Sequence, residues 1–277
     1  MEIRTIHANG MEFAYLTVGD GPLALCLHGF PDSAHTWRHL LPELAQRGYR
    51  AVAPFMRGYA PTEVPADGAY ERAALAADVL ALHEELGGDD DAVLIGHDWG
   101  ALTAYMAADR FRRAVTMAVP PPDALATFFL DYAQLKRSFY IFLFQTALAE
   151  PAAAAPGFLE SLWADWSPGY DFAQDVEFVR RSLAEPANLS AAIGYYRAML
   201  GTTPPSGRYP EPAPASSTPI LYLHGAQDGC LDPGMAKDAL GHLPAGSRVE
   251  VVAGAGHFLH LERPREVGSL ILDWLAS

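Results

Sequence analysis

The chain has 277 residues, with 19 Lys and Arg against 33 Asp and Glu, for a formal net charge of −14 at pH 7. That surplus argues against nucleic acid or an anionic membrane as a partner, because both are met by clustered cations. Half of the residues are hydrophobic and 19% are charged, which excludes extensive disorder and predicts one large or two modest domains around a sizeable core.

Cys26 and Cys230 are the two cysteines, too few for a disulfide framework or a cysteine-rich metal centre. The opening residues MEIRTIHANGMEF lack a basic region followed by an apolar stretch. No run approaches the roughly 18 apolar residues of a membrane span. A cytoplasmic protein is therefore expected.

In chain order, two alternating stretches flank Asn9-Gly10, a strong hairpin signal with Ile3, Thr5, Phe13 and Tyr15 as strand formers. Short apolar runs then alternate with helical patterns. LALCLH (23–28) precedes a helical spacing at Trp37, Leu40, Leu41 and Leu44, and RAVAPF (50–55) precedes the Ala- and Leu-rich segment 70–86. AVLIG (92–96) is followed by a helical segment at 101–108 and by AVTMAVP (114–120). This alternation predicts a parallel sheet covered on both faces.

The rhythm stops at Pro120-Pro121-Pro122. From Asp123 to about Leu200 the stretches FFLDYAQLKRSFYIFLFQ, FLESLWADW, FVRRSL and AAIGYYRAML read as helices without an intervening strand. A Pro- and Ser-rich passage, 202–219, leads back to ILYLHG, a helical pattern, RVEVVAG and a final amphipathic segment. The expected organisation is an α/β core of residues 1–122 and 218–277, interrupted at 123–217 by an all-helical lid and its return linker.

The chemistry concentrates in GHDWG (96–100), between an apolar strand and a helix. Two glycines flanking one reactive residue form a nucleophile elbow, a strained turn that makes the central side chain protrude. Here that residue is Asp98, which between strand and helix also suits a plain N-cap. Upstream, His28-Gly29-Phe30-Pro31 follows a strand, so the amides of Phe30 and Trp99 are candidate oxyanion donors; a simple tight turn is the competing reading. Downstream, Asp228 follows a strand in LYLHGAQDG, and His257 lies in the glycine-rich loop of VVAGAGHFLHLERP. The order nucleophile, acid, histidine is that of the α/β-hydrolases. His28, His97, His224 and His260 are read as structural.

HGFP at 28–31, the RGY turn at 57–59, GHDWG, the helical insertion, the Asp228 turn and the His257 loop together span essentially the whole chain. In these features the sequence resembles the α/β-hydrolase superfamily and, within it, the epoxide hydrolases with an aspartate nucleophile. The resemblance implies a mostly parallel sheet flanked by helices under a helical lid. It also implies two lid tyrosines that polarise the epoxide oxygen, matched by Tyr140 in SFYIFLFQ and Tyr196 in GYYRAM, with Tyr195 a rival for the second. Phe30, Trp99, Tyr140 and Tyr196 are then expected to touch substrate, with Phe128, Phe129, Phe142, Phe144, Trp163 and Trp166 as candidates for an apolar lining.

An aspartate at an elbow points to alkyl transfer. A serine attacking an sp3 carbon would leave a stable ether, whereas a carboxylate leaves an ester that water cleaves. The expected scheme has Asp98 attack the ring and His257, oriented by Asp228, activate water against the ester, giving a vicinal diol. It needs no metal or organic cofactor, and its partners are a small apolar epoxide and water. Asp123 in VPPPD is the competing acid, in the position some dehalogenase relatives use. A dehalogenase on the same Asp98-His257 pair is the nearest alternative activity, although Phe30 stands where a halide donor is common. A non-enzymatic ligand receptor on this scaffold is the alternative from another class.

Overall fold

A computed structural model describes residues 2–210 and 216–277. The hairpin forms as the sequence predicts: β1 (Glu2–Ala8) and β2 (Met11–Val18) pair antiparallel from Ala8↔Met11 outward. Asn9 and Gly10 have φ of +47° and +78°, the left-handed pair that a tight hairpin turn requires.

Six further strands complete one sheet: β3 (Leu23–Leu27), β4 (Arg50–Pro54), β5 (Val93–His97), β6 (Arg113–Met117), β7 (Ile220–Gly225) and β8 (Arg248–Val252). The spatial order is β1-β2-β4-β3-β5-β6-β7-β8, antiparallel at β1-β2-β4 and parallel from β4 onward. Every residue of β3, β5 and β7 is buried, which explains why these strands read as continuous apolar runs.

In the core, α1 (Leu40–Gln46), α2 (Arg72–Glu85) and α3 (Trp99–Ala107) cover the first half of the sheet. Between β6 and β7 the chain forms only helices among the described residues: α4 (Pro122–Phe128), α5 (Tyr132–Arg137), α6 (Phe139–Leu143), α7 (Ala149–Ala153), α8 (Phe158–Trp166), α9 (Ala173–Ser182) and α10 (Pro186–Met199). After β7 come α11 (Ala236–Ala239), α12 (Leu259–Glu262) and α13 (Pro264–Ala276). The long aromatic stretch 128–145 is thus broken into short helices. Ser138, with φ −88° and ψ 13°, separates α5 from α6 and lets Tyr140 face inward while Phe139 and Phe142 stay exposed. Of the return linker, residues 211–215 lie outside the described residues.

The main apolar cluster runs from the sheet into the inserted helices, and a small second one gathers Tyr222, Ala236 and Ala239. Several acidic residues are buried: Asp32, Asp78 and Asp175 as well as Asp98 and Asp228, with Asp78 gripped by Arg57 (Nε–Oδ2 2.5 Å) and Asn9 (Nδ2–Oδ1 2.7 Å).

Candidate active site

Asp98 sits where β5 turns into α3, at φ +54° and ψ −117°. That left-handed conformation is costly for a residue with a Cβ and is held by its surroundings. The flanking glycines are required by space. A Cβ on Gly96 would lie 2.2 Å from Gly100 O, and one on Gly100 would lie 2.2 Å from Leu27 O. Asp98 is an N-cap only by position, since its side chain bonds no amide of α3. Its Oδ1 instead accepts the Phe30 N–H at 2.8 Å, which leaves Oδ2 turned toward His257 Nε2 at 3.6 Å. Gly29 permits this approach, because a Cβ there would meet Asp98 Oδ1 at 2.2 Å.

His257 is fixed from several sides. Its N–H donates to Trp166 O at 3.0 Å, its carbonyl accepts from His97 Nε2 at 3.0 Å, and its Nδ1 lies 3.0 Å from Asp228 Oδ2. Nε2 has no hydrogen-bond partner among the described residues. Asp228 is cradled by the amides of Cys230 (2.7 Å) and Leu231 (2.9 Å) on Oδ1. The competing acid, Asp123, is exposed in the first turn of α4.

The electrostatics follow from this crowding. Burial pulls His257 down, but the Asp228 and Asp98 carboxylates more than reverse that and raise it to about 10. Burial opposes ionisation of Asp98 and Asp228, yet His257 holds both carboxyls below their ordinary value. These shifts favour a charged His257 between two ionised carboxylates.

Tyr140 on α6 and Tyr196 on α10 are both buried, with ring centroids 5.5 Å apart. Burial raises both phenols well above their ordinary value, so they are neutral donors. The Tyr196 hydroxyl has no partner among the described residues, whereas the Tyr140 hydroxyl lies 3.6 Å from Cys230 Sγ. Tyr195 is engaged elsewhere: its hydroxyl donates to Arg57 O at 2.9 Å. Phe30 and Trp99 pack on Tyr196 at 5.4 and 5.1 Å between centroids, and Trp166 on His257 at 5.0 Å.

The aromatics of the inserted helices divide. Phe144 packs against Phe30, Tyr140 and Tyr196, while Trp163 stacks on Phe258 at 3.4 Å and donates to Pro31 O as a core residue. Phe129 joins Leu102, Leu125, Tyr195 and Met199 in a separate groove of about 640 Å³. The Phe128 side chain lies outside what is described. His28 accepts from Met56 N–H at 3.0 Å, and His224 lies against Tyr222 and Asp228.

Sequence reading missed the contacts that tie the inserted helices to the Asp228 turn. Gln134 Nε2 donates to Cys230 O at 2.9 Å, its Oε1 accepts from Asp232 N–H at 3.1 Å, and Arg137 donates to Asp228 O at 2.9 Å. No local pattern signals such pairs, which lie more than 90 residues apart. Also missed was a buried group of Asp32, His97 and His260, each offering one ligand-type atom within 4.8 Å of the others. Among the described residues no helix is long and apolar enough to cross a membrane.

A family model described as alpha/beta hydrolase fold matches residues 22–264, so fold and elbow together define an α/β hydrolase. Over 284 residues the chain is 33% identical to Epoxide hydrolase 3 of Xenopus tropicalis, covering 96% of this chain and 75% of that protein. It is 31% identical over 322 residues to Epoxide hydrolase A of Mycobacterium tuberculosis, covering 99% and 97%. The crystal structure of a Bacillus megaterium epoxide hydrolase in complex with an inhibitor matches with a TM-score of 0.85 at 28% identity, over 99% of this chain and all of that one. The chain belongs to the epoxide hydrolase family of α/β hydrolases.

Proposed function

We propose that the protein hydrolyses a small apolar epoxide to a vicinal diol through a covalent ester on Asp98. The observation that carries this reading is the opposition of two kinds of group in one buried site. An ionised carboxylate rises from the sheet, and two neutral phenols stand close together on the inserted helices. The named relatives support the substrate class, and the aromatic wall of Phe30, Trp99, Phe144 and Trp166 supports its apolar character. In this reading 123–217 is the lid over a core of 1–122 and 218–277, and the protein is cytoplasmic.

Oδ1 of Asp98 is held by the Phe30 amide, so Oδ2 is the attacking atom. It displaces the ring oxygen from carbon, and Tyr196 with Tyr140 protonates the leaving oxygen. The His257 imidazolium restores that proton, so the base becomes neutral as the ester forms. The loss of one facing carboxylate favours this change. Water then attacks the ester carbonyl, giving a proton to His257 while Oδ1 takes up negative charge against the Phe30 amide, with the Trp99 amide as second donor. Collapse breaks the acyl bond, and His257 protonates the departing alkoxide. The Asp98 carboxyl so formed ionises and returns His257 to its charged state. One water is consumed and every proton is accounted for.

Turnover of a panel of aryl and alkyl epoxides, beginning with styrene oxide, tests the activity, with Asp98→Asn as the inactive control. His257→Gln should accumulate an alkylated protein by intact mass, and single turnover in oxygen-18 water should label Asp98. No diol from any panel member would refute the activity. Label confined to the diol would refute the ester.

A further inference from the structure

Beside the His257 loop lie three side chains that the proposed chemistry does not use. Asp32 follows the 28–31 turn, His97 ends β5, and His260 is in α12. All are buried, and Asp32 Oδ2, His97 Nδ1 and His260 Nδ1 have no hydrogen-bond partner among the described residues. Their other polar atoms are engaged. Asp32 Oδ1 accepts from Ser33 N–H at 2.7 Å, His97 Nε2 donates to His257 O at 3.0 Å, and His260 Nε2 shares a hydrogen bond with Thr36 Oγ1 at 2.5 Å. Three orphaned polar atoms in one buried place would each cost a desolvation penalty that folded proteins avoid.

The separations identify what fits. Asp32 Oδ2 is 3.9 Å from His97 Nδ1, too far for a direct hydrogen bond. A tetrahedral transition metal, with ligands at about 2.0–2.1 Å, would hold its donors about 3.3–3.4 Å apart. A water molecule hydrogen-bonded at about 2.8 Å spreads its partners to about 4.6 Å at tetrahedral angles. One ligand-type atom from each residue lies within 4.8 Å of the others, so a single water can reach all three, and the 3.9 Å pair is already wider than the metal shell. Protonation states agree. His97 must carry its hydrogen on Nε2 to donate to a carbonyl, so Nδ1 is an acceptor, and burial raises the Asp32 carboxyl to about 8, making it a donor at neutral pH. Water can serve both.

We propose that Asp32, His97 and His260 enclose a single buried water molecule, and that this cage positions the His257 main chain for the hydrolysis half-reaction. The water fixes Nδ1 of His97, and the opposite nitrogen of that ring holds the His257 carbonyl. The second part rests on reading His257 as the base; the first does not. The three are positioning residues, since none is placed against the substrate.

A crystal structure of the whole chain, at a resolution that defines waters, should show one water within hydrogen-bond distance of all three atoms. Direct pairing of the side chains, or a metal with anomalous signal, overturns the cage. Rapid-quench single turnover with styrene oxide tests its role. His260→Leu should slow ester hydrolysis about tenfold while alkylation stays within about twofold. Asp32→Asn, which keeps a donor and an acceptor in the cage, should hydrolyse within about twofold of the parent. Equal slowing of both half-reactions, or of neither, overturns the positioning role. Asp32→Leu is the second cage-breaking variant should His260→Leu not fold. A parent enzyme that turns over no epoxide refutes the activity but leaves the crystallographic outcome to decide the cage.

Discussion

Replacing Asp98 with Asn removes one of the two carboxylates that hold the proton on His257, without changing burial. Asp98 Oδ2 lies 3.6 Å from Nε2. At an effective dielectric of about 20, a unit charge at that distance contributes about 5 kcal/mol, or about 3 pKa units. His257, at about 10 in the parent, should therefore titrate near 7 in the variant. Proton NMR of the histidine Cε1–H signals, with His257→Gln for assignment, reads this directly. The sign carries into stability. Because the folded value lies above the ordinary one of about 6.5, the parent's contribution is complete below about 6.5 and is lost as pH rises through about 10. The parent should lose stability across that alkaline window, and Asp98→Asn should lose much less there. A variant midpoint within about one unit of the parent's would refute the claim that Asp98 holds the proton, and with it the switching of His257 from acid to base.

Tyr196→Phe should slow ring opening by about 100-fold or more, and more than Tyr140→Phe, because only the Tyr140 hydroxyl has Cys230 Sγ as a competing contact. Single-turnover alkylation rates check this, and a double variant that alkylates at the parent rate would remove the tyrosines from the mechanism. Gly29→Ala places a Cβ 2.2 Å from Asp98 Oδ1, so the Phe30 amide must move; diol formation should fall about 100-fold, and near-parental turnover would show that this contact is dispensable. Arg57→Met leaves Asp78 buried beside Asn9 without its cation, at a cost of about 3–5 kcal/mol. Calorimetry should record a fall in Tm of about 10 °C, and a shift below about 2 °C would show that the buried pair contributes little.

Much of the molecule was legible because its signals are local. The strand runs, the Asn9-Gly10 hairpin and the Asp98 elbow are set by side-chain period and backbone sterics within a few residues. Two Gly positions around one reactive residue have few other uses. The Asp228 and His257 loops were legible as a candidate pair by their order along the chain, and they meet at 3.0 Å in the fold. The broken helix at Ser138 was not, because an unbroken apolar run carries no mark of where tertiary packing will interrupt it.

The sequence by itself determined the layered core, the helical interruption after Pro122 and the identity of the carboxylate at the elbow, all consequences of short-range pattern. It favoured Tyr196 over Tyr195 and Asp228 over Asp123 by local pattern alone. The folded chain adds a difference in hydrogen bonding within each pair. Tyr195 gives its hydroxyl to Arg57 O and leaves Tyr196 unpaired, while Asp228 meets His257 and Asp123 stays in water. Asp32, His97 and His260, from three distant parts of the chain, likewise form a cluster that only folding could assemble.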